Sequence, residues 1–217
     1  MAGGSSVHRP VSGTTQKAII MQTIHPIKIT ALLGSVRPGN FTFKVLNIVL
    51  DELRSIPDVA IDLIDPSTMN LFMPGAGESP DARVIQQRVK DADGIILATP
   101  EYHGSYSSVM KLLIENLGFP SELKGKPVAL LGAAAGQIGA IKSLEHLRSV
   151  ASHVGAMVLP GPVSVAHVRT VFNDQDGIID QGIEKMVRGL ATDLVTYVRM
   201  HTCPRSSLEN IVREYSQ

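Results

Sequence analysis

Short apolar runs alternate with helical patterns along most of the chain, and this alternation constrains its fold more than any other feature. The apolar runs, which we interpret as five strands, cover residues 27–33, 59–64, 94–99, 127–131 and 156–159, the last of which can extend to 165. Helical periodicity is found at residues 43–53, 82–92, 107–117, 140–154 and 179–198. Parallel strands need long crossover connections, which are usually helices. The pattern therefore predicts an α/β domain in which helices cover both faces of a parallel sheet.

The flavodoxin-like strand order 2-1-3-4-5 is the arrangement that we expect for such a five-stranded, doubly wound, three-layer α/β/α domain. In open parallel sheets, ligands bind beyond the carboxyl ends of the strands, at the point where the strand order reverses. In this order the reversal lies between the first and third strands. We therefore expect the loops after these two strands, residues 34–42 and 99–107, to lie side by side.

The loop after the first strand, GSVRPGNFT at residues 34–42, has the composition of an anion-binding site. It leads from a strand into a helix, so free backbone N–H groups and the positive end of the helix dipole converge there. Arg37 adds a planar guanidinium that suits a phosphate. We predict that backbone amides and four side chains bind one phosphate group; the four are Ser35, Arg37, Asn40 and Thr42. The residues alone leave a second interpretation open, an ordinary strand-to-helix turn with a solvated arginine.

Two common phosphate-binding loops are excluded by the residues of this segment. A P-loop requires G-x-x-x-x-G-K-[S/T], and Gly34 and Gly39 have the correct spacing for its glycines. Asn40 and Phe41, however, replace the lysine and the hydroxyl residue that follow. A dinucleotide loop requires G-x-G-x-x-G, and Val36 replaces its second glycine. A single monophosphate is therefore a better ligand than a triphosphate with its metal or a dinucleotide.

The loop after the third strand, TPEYHGSYS at residues 99–107, is the second candidate ligand contact. Pro100 fixes its own φ angle and favours an extended residue before it, so we expect the strand to end abruptly there. Gly104 allows the backbone to approach a ligand closely, and Tyr102 can help to enclose a flat heterocycle. A hydrophilic exit turn with locally packed tyrosines fits the same residues. Small residues at 132–140 can likewise approach a planar ring, or simply begin a helix.

Composition excludes several classes of partner. The chain has 217 residues and a formal net charge of zero, so it lacks the basic excess that nucleic acids and anionic lipids attract. No apolar run approaches membrane-spanning length, and the N-terminal region has no secretory leader core. The single cysteine, Cys203, rules out an intrachain disulfide and a cysteine-cluster metal site. We therefore expect a cytoplasmic protein that contacts neither nucleic acid nor membrane and holds no metal.

The ends of the chain differ in composition from its centre. Residues 1–24 are rich in Gly, Ser, Thr and Pro, and we predict that they form a flexible tail. Residues 25–201 carry all the strand and helix patterns and form one predicted domain. The polar residues 202–217 are predicted to form a second, loosely held tail.

The candidate loops resemble the motifs of one known family. Its phosphate motif, G-S-x-R-x-x-S-x-[N/T], corresponds to Gly34, Ser35, Arg37, Asn40 and Thr42. Its flavin-ring motif, P-E-Y-[N/H]-x-[S/G], corresponds to Pro100, Glu101, Tyr102, His103 and Ser105. A less specific segment, S-x-G-x-x-G-G, corresponds to Ala134, Gly136, Gly139 and Ala140. Between residues 27 and 199 the chain thus resembles the NAD(P)H-dependent FMN reductases, a flavodoxin-like group that includes quinone, chromate and azo-dye reductases.

The resemblance implies an enzyme that binds FMN and uses NADPH or NADH as its co-substrate. Hydride would pass from the nicotinamide to the flavin and on to a small-molecule acceptor, which is free flavin, a quinone, chromate or an azo compound. The cofactor carries this chemistry, so no catalytic side chain is assigned. Family members usually form homodimers or homotetramers, and the same is implied here. The implied FMN contacts are Ser35, Arg37, Asn40, Phe41, Thr42, Pro100, Glu101, Tyr102, His103, Ser105, Ala134 and Gly136.

Three residues depart from the family motifs. Asn40 replaces a serine but keeps a group that can donate to phosphate. His103 stands where asparagine is common, which alters the contact with the flavin ring. Ala134 replaces a serine whose hydroxyl lies near the flavin or the acceptor in relatives, so the change affects acceptor preference more than FMN binding.

Three other functions remain as alternatives. The first is an electron carrier of the flavodoxin type, although such carriers are usually strongly acidic and this chain is neutral. The second is a flavin-binding redox sensor without turnover, which signals through a partner. The third is a serine esterase, although the chain lacks a G-x-S-x-G nucleophile motif.

Overall fold

The computed structural model describes residues 26–175 and 177–202. Of the two predicted tails, residues 1–24 and 203–217, including Cys203, lie outside the described residues. The strands of the described part are β1 (Ile27–Leu33), β2 (Val59–Ile64), β3 (Gly94–Tyr102), β4 (Ser105–Tyr106), β5 (Pro127–Ala133), β6 (Met157–Val158) and β7 (Val163–Val165). Its α-helices are α1 (Phe41–Ser55), α2 (Ala82–Lys90), α3 (Ser108–Glu115), α4 (Ile141–His153) and α5 (Gln181–His201). Short 3₁₀-helices span Pro66–Thr68 and Val168–Thr170.

The sheet has the strand order β2-β1-β3-β5-β6, and these neighbours are all parallel. With β5 as the fourth strand of the predicted series, this is the flavodoxin-like order 2-1-3-4-5. The doubly wound α/β prediction is therefore confirmed. Two details differ from it, since β7 also pairs with β5 and β4 is an added antiparallel strand beside the end of β3.

The fifth predicted strand is divided into two short strands. β6 pairs with the beginning of β5, at Pro127 and Val128, whereas β7 pairs with its end, from Leu131 to Ala133. The segment Pro160-Gly161-Pro162 lies between them. Proline has no N–H to donate to a ladder, and Gly161 has a φ of 72°, so this segment leaves the strand conformation. β6 lies within the predicted strand at 156–159, whereas the possible continuous extension of that strand to 165 is not found, for this reason.

β3 continues through Pro100 to Tyr102, so the predicted stop at Thr99 was wrong. The β1 side of β3 is paired only as far as Ala98, opposite Leu33. Pro100 lies beyond this paired stretch, so its lack of an N–H removes no hydrogen bond between β3 and β1. The strand is extended because Glu101 and Tyr102 pair with β4 in a hairpin.

Two apolar cores lie on opposite faces of the sheet. On one face α1 and α5 contribute fully buried side chains such as Leu46 and Leu194. On the other face α2, α3 and α4 contribute Ile85, Leu113 and Leu147, which are also fully buried. The molecule therefore has the predicted three layers, and burial of these side chains supplies the main stabilising term.

The last helix begins later than its periodicity predicted. Ile179, which the pattern assigned to the apolar stripe, precedes α5 and is 61% exposed. Asp180 caps the helix, because its carboxylate accepts the N–H of Ile183 at 3.0 Å. Among the described residues, no helix combines the length and apolar character needed to cross a membrane.

Candidate functional site

A cleft of about 330 Å³ opens at the carboxyl edge of the sheet, where the loops after β1, β3 and β5 meet. This is the size of many small-molecule sites. The predicted loops at 34–42 and 99–107 are thus neighbours. Predicted site residues that line the cleft are Arg37, Asn40, Phe41, Thr42, Pro100, Glu101, Tyr102 and Ala134. The other four, which are not part of its lining, are Ser35, His103, Ser105 and Gly136.

Asn40 shapes the first loop. Its side-chain oxygen accepts the N–H of Phe43 at 2.7 Å, and its Nδ2 donates to the carbonyl of Arg37 at 2.8 Å. Asn40 is therefore the N-cap of α1, with the extended backbone that this position requires. The amides of Phe41 and Thr42, at the first two helical positions, have no partner within the helix. No acidic residue lies in the first turn, so this end of α1 is open to an anion.

The Thr42 hydroxyl is directed into the cleft. Thr42 is only 2% exposed, and none of the hydrogen bonds within the described residues involves its hydroxyl. No wholly buried polar side-chain atom in this part of the chain lacks a partner, so the hydroxyl must reach the cleft surface. Ser35 is similarly buried, at 3% exposure, and its hydroxyl is likewise unpaired among these residues. Both hydroxyls remain available to a ligand.

Arg37 connects the first and second loops. Its Cζ atom lies 5.4 Å from the centroid of the Tyr102 ring, which is the geometry of a cation–π contact. Arg37 makes no ion pair with any described carboxylate. Its positive charge is therefore not neutralised by the neighbouring described residues.

His103 lies in the two-residue turn of the β3–β4 hairpin. Tyr102 pairs with Ser105, and His103 and Gly104 have φ angles of 52° and 75°. Positive φ at both central positions defines a type I′ turn, in which asparagine is favoured at the first position and glycine at the second. This explains physically why asparagine suits position 103. His103 is exposed and is not part of the cleft lining, and its contact with the flavin ring stays a prediction.

Glu101 and Ser105 attach this hairpin to α4. The Glu101 carboxylate accepts the N–H of Ser143 in the first turn of α4, at 3.2 Å. One turn further along the helix, His146 Nδ1 lies 3.1 Å from the Ser105 hydroxyl oxygen. Ser105 thus positions the hairpin, whereas Glu101 does this and also lines the cleft. In the same hairpin, burial raises the pKa of the Tyr106 phenol above its ordinary value.

Ser107 connects the second loop to the first. Its hydroxyl donates to the carbonyl of Gly34 at 2.5 Å and accepts the N–H of Met110 at 3.0 Å, which makes it the N-cap of α3. The Ser107 N–H donates to the Thr99 hydroxyl at 3.1 Å. Sequence analysis did not identify this residue, because its partner Gly34 is distant in the chain.

The third loop is attached to the segment after β7. The Ala134 N–H donates to the carbonyl of Val165 at 2.9 Å, and the Ala134 carbonyl accepts the N–H of Val168 at 3.0 Å. The Gly136 carbonyl accepts the N–H of His167 at 3.2 Å. This arrangement brings Val168 and Arg169 into the cleft lining. Sequence analysis missed both residues, and the only signal was that they closely follow a strand at the same edge of the sheet.

The cleft offers an anion site beside an apolar, closely approachable surface. The lining combines the first residues of α1 and the side chains of Arg37 and Arg169 with Pro100 and the small alanines at 133–135. Among residues 26–175 and 177–202, no group of three or more His, Cys, Asp or Glu side chains is arranged to hold a metal ion. The arrangement suits a ligand with a phosphate at one end and a flat ring at the other.

Known proteins with similar sequences include FMN reductases, quinone reductases and azoreductases. Residues 27–170 match the family model described as NADPH-dependent FMN reductase. The NAD(P)H-dependent FMN reductase of Pseudomonas aeruginosa is 28% identical over 179 residues, which cover 80% of this chain and 96% of the relative. An NADPH azoreductase of Bacillus sp. is 32% identical over 179 residues, which cover 81% of this chain and 94% of the relative.

The solved structures agree in fold. The flavoenzyme FerB of Paracoccus denitrificans, an NAD(P)H:(acceptor) oxidoreductase, superposes with a TM-score of 0.67 at 20% identity. The match covers 81% of this chain and 98% of FerB. Since the family model spans well over half of the sequence and includes all three loops of the cleft, the chain belongs to the NADPH-dependent FMN reductase family.

Proposed function

We propose that the cleft at the carboxyl edge of the sheet binds FMN, with the phosphate at the start of α1 and the ring beside the β3–β4 hairpin. The chain is an NAD(P)H-dependent, FMN-containing oxidoreductase, as its family membership establishes. The observation that supports the location most strongly is that the hydroxyls of Ser35 and Thr42, two residues of low exposure in the loop that leads into α1, have no hydrogen-bond partner among the described residues. A phosphate dianion satisfies these donors at once.

The side chains of the cleft bind and orient the cofactor. Thr42, Arg37 and the amides of Phe41 and Thr42 would hold the phosphate. Asn40 keeps these amides in place through its capping bond to Phe43. Pro100 and Ala134 offer small, flat surfaces to the ring, and Tyr102 closes one edge. When bound, FMN supplies the redox chemistry, in which hydride arrives from the nicotinamide and electrons leave to an acceptor.

The acceptor is a small molecule. We propose that it is a quinone, an azo compound, chromate or free flavin, and that it binds against the exposed face of the ring after the nicotinamide has left. The small side chain of Ala134 supports a broad choice of acceptor, because no hydroxyl at this position restricts the approach of a second planar molecule.

Purified protein that has been incubated with FMN and freed of unbound FMN is expected to be yellow and to bleach when NADPH or NADH is added without oxygen. In air with a quinone, steady consumption of NAD(P)H should follow, because a two-substrate enzyme regenerates its oxidised cofactor. The measurement is the visible spectrum near the flavin band, with riboflavin, which lacks the phosphate, as the matched ligand control. A flavodoxin-type carrier or a redox sensor would bind FMN but would not consume NAD(P)H steadily. Protein that is colourless after incubation with excess FMN and removal of the unbound FMN would refute the proposed function.

A cavity lined in part by residues of α3 and α4, with one fully exposed aromatic ring beside it, supports the expected self-association. This cavity of about 830 Å³ is lined by residues such as Ile114, Val150 and Val154, and the fully exposed Phe119 lies at the same place. A projecting ring beside a groove on one face suits a two-fold interface, in which each copy fills the groove of the other. We propose a homodimer or homotetramer that uses this face. We further infer a cytoplasmic location, because NAD(P)H and a lone cysteine suit a reducing compartment.

Replacing Phe119 with glutamate is expected to shift the protein from dimer or tetramer toward monomer, because each copy would place a charge in the groove of the other. The mass in solution, measured by light scattering at micromolar concentration, reports this change. Met200→Glu on α5 is the matched control, since Met200 is also exposed but lies outside this cavity. A wild-type mass equal to one chain would contradict the proposed interface.

A further inference from the structure

Arg169 is an arginine in the cleft that no motif in the sequence identified. It lies in the 3₁₀-helix Val168–Thr170, lines the same cleft as Arg37 and approaches it from the segment after β7. We propose that Arg169 is a second guanidinium group that binds the phosphate of FMN, from the side opposite the first loop. This inference rests on the proposed location of FMN.

The backbone that carries Arg169 is firmly attached to the anion-binding end of α1. The Val168 N–H donates to the Ala134 carbonyl at 3.0 Å. On the other side of Arg169, the Phe172 ring lies against the ring of Phe41, the first residue of α1, with 6.1 Å between centroids. Arg169 is thus held between the third loop and the start of α1. The backbone from which its side chain extends is therefore fixed beside the predicted phosphate position.

The charges around the cleft favour an anion of more than one negative charge. Arg169 is exposed, and within the described residues its side chain makes no hydrogen bond or ion pair. Arg37 likewise has no carboxylate partner there. Glu101 is the only acidic residue in the lining, and its carboxylate is bonded to the Ser143 N–H. Two cations and a helix N-terminus therefore share one small cleft with a single protein carboxylate among its lining residues, which leaves an excess of positive charge.

A phosphate monoester explains this excess of donors better than any other part of FMN. It carries close to two negative charges, and guanidinium groups bind its oxygens in a bidentate manner. Thr42 is a separate observation that points to the same place, since this residue lines the cleft and its hydroxyl has no hydrogen-bond partner among the described residues. The uncharged ring of the flavin would leave both arginines without a counter-ion.

The test compares the affinities of FMN and riboflavin for the Arg169→Met variant, by quenching of flavin fluorescence. Loss of one charge-assisted contact is expected to raise the Kd for FMN about tenfold or more. The Kd for riboflavin should stay unchanged, because riboflavin has no phosphate. Arg169→Lys keeps the charge and should fall between the wild type and Arg169→Met. Arg37→Met is expected to behave like Arg169→Met, with a raised Kd for FMN and an unchanged Kd for riboflavin.

Arg54→Met is the matched control, since Arg54 pairs with Asp51 in the last turn of α1, at the end remote from the cleft. The melting temperature without flavin shows whether each variant is folded, and Arg169→Met should match the wild type because Arg169 makes no side-chain contact of its own among the described residues. An unchanged Kd for FMN in Arg169→Met would overturn the inference, as would an equal loss for FMN and riboflavin. A raised KM for NADPH but not NADH, with FMN affinity intact, would assign Arg169 to a different phosphate. Failure of the wild type to bind FMN would instead refute the proposed function itself.

Discussion

Gly34→Ala is expected to lower the free energy of unfolding by about 3 kcal/mol, at the upper end of the usual range for overpacked sites. A Cβ atom at this position would lie 2.8 Å from the Ala98 carbonyl oxygen and 3.1 Å from side-chain atoms of Met110. The Ala98 oxygen is a backbone atom of β3, and it accepts the N–H of Gly34 at 2.7 Å. It cannot withdraw without breaking that bond. We also expect weaker FMN binding, because Gly34 begins the phosphate loop.

Chemical denaturation of the flavin-free protein measures the loss in stability, and flavin fluorescence measures the loss in affinity. Gly189→Ala is the matched control, because Gly189 lies within α5 and a Cβ there would meet no atom within 4 Å. Alanine has a higher helix propensity than glycine by about 1 kcal/mol, so this variant should be at least as stable as the wild type. Equal free energies of unfolding of the two variants would show that the close contact at Gly34 does not limit the size of the residue there.

Ser107→Ala is expected to be the most damaging change of a single oxygen atom, with a loss of about 2–4 kcal/mol. The variant loses the N-cap of α3, and the Gly34 carbonyl loses the hydroxyl that donates to it. Ser107 is only 2% exposed, so water cannot easily replace the missing hydroxyl. Because this bond joins the first and second loops, we expect a weaker affinity for FMN in addition to the lower stability.

Ser108→Ala is the control for this change, since Ser108 is the next residue, is exposed and makes no such connection. The free energies of unfolding of the two variants, measured by chemical denaturation, should differ by most of the loss expected for Ser107→Ala. If Ser107→Ala retains both the stability of Ser108→Ala and the wild-type affinity for FMN, the two loops are positioned independently of this hydroxyl.

The strands and the first loop could be predicted because their signals are local. The apolar runs fix β1 and β2 to the residue, and the change from strand to helix at 34–42 marks the free amides of α1. The role of Asn40 was harder to predict from the sequence. Its residue type suits both a phosphate donor and a helix cap, and only the bonds to Phe43 and Arg37 show that it caps the helix.

The parts of the site that could not be predicted depend on contacts between distant segments. Arg169 reaches the cleft because the segment after β7 is bonded to Ala134, and no periodicity reports such a contact. The extension of β3 was hidden for a related reason. Pro100 is a local signal to stop, but pairing with β4 overrides it. The type I′ turn itself was obscured because His103 occupies the position where asparagine would have signalled a hairpin.

The hydrogen bonds that join the loops have a consequence for how the protein acquires its cofactor. Ser107 joins the first loop to the second, Glu101 joins the second to α4, and Ala134 joins the third to the segment after β7. Each of these bonds is made within the chain, so we expect them to position the loops before the cofactor binds. Binding of FMN to the flavin-free protein then requires little ordering of the chain. Bound FMN stabilises the folded state by mass action, and the chain does not need FMN in order to fold. We therefore expect the protein to release its flavin and to bind it again without unfolding.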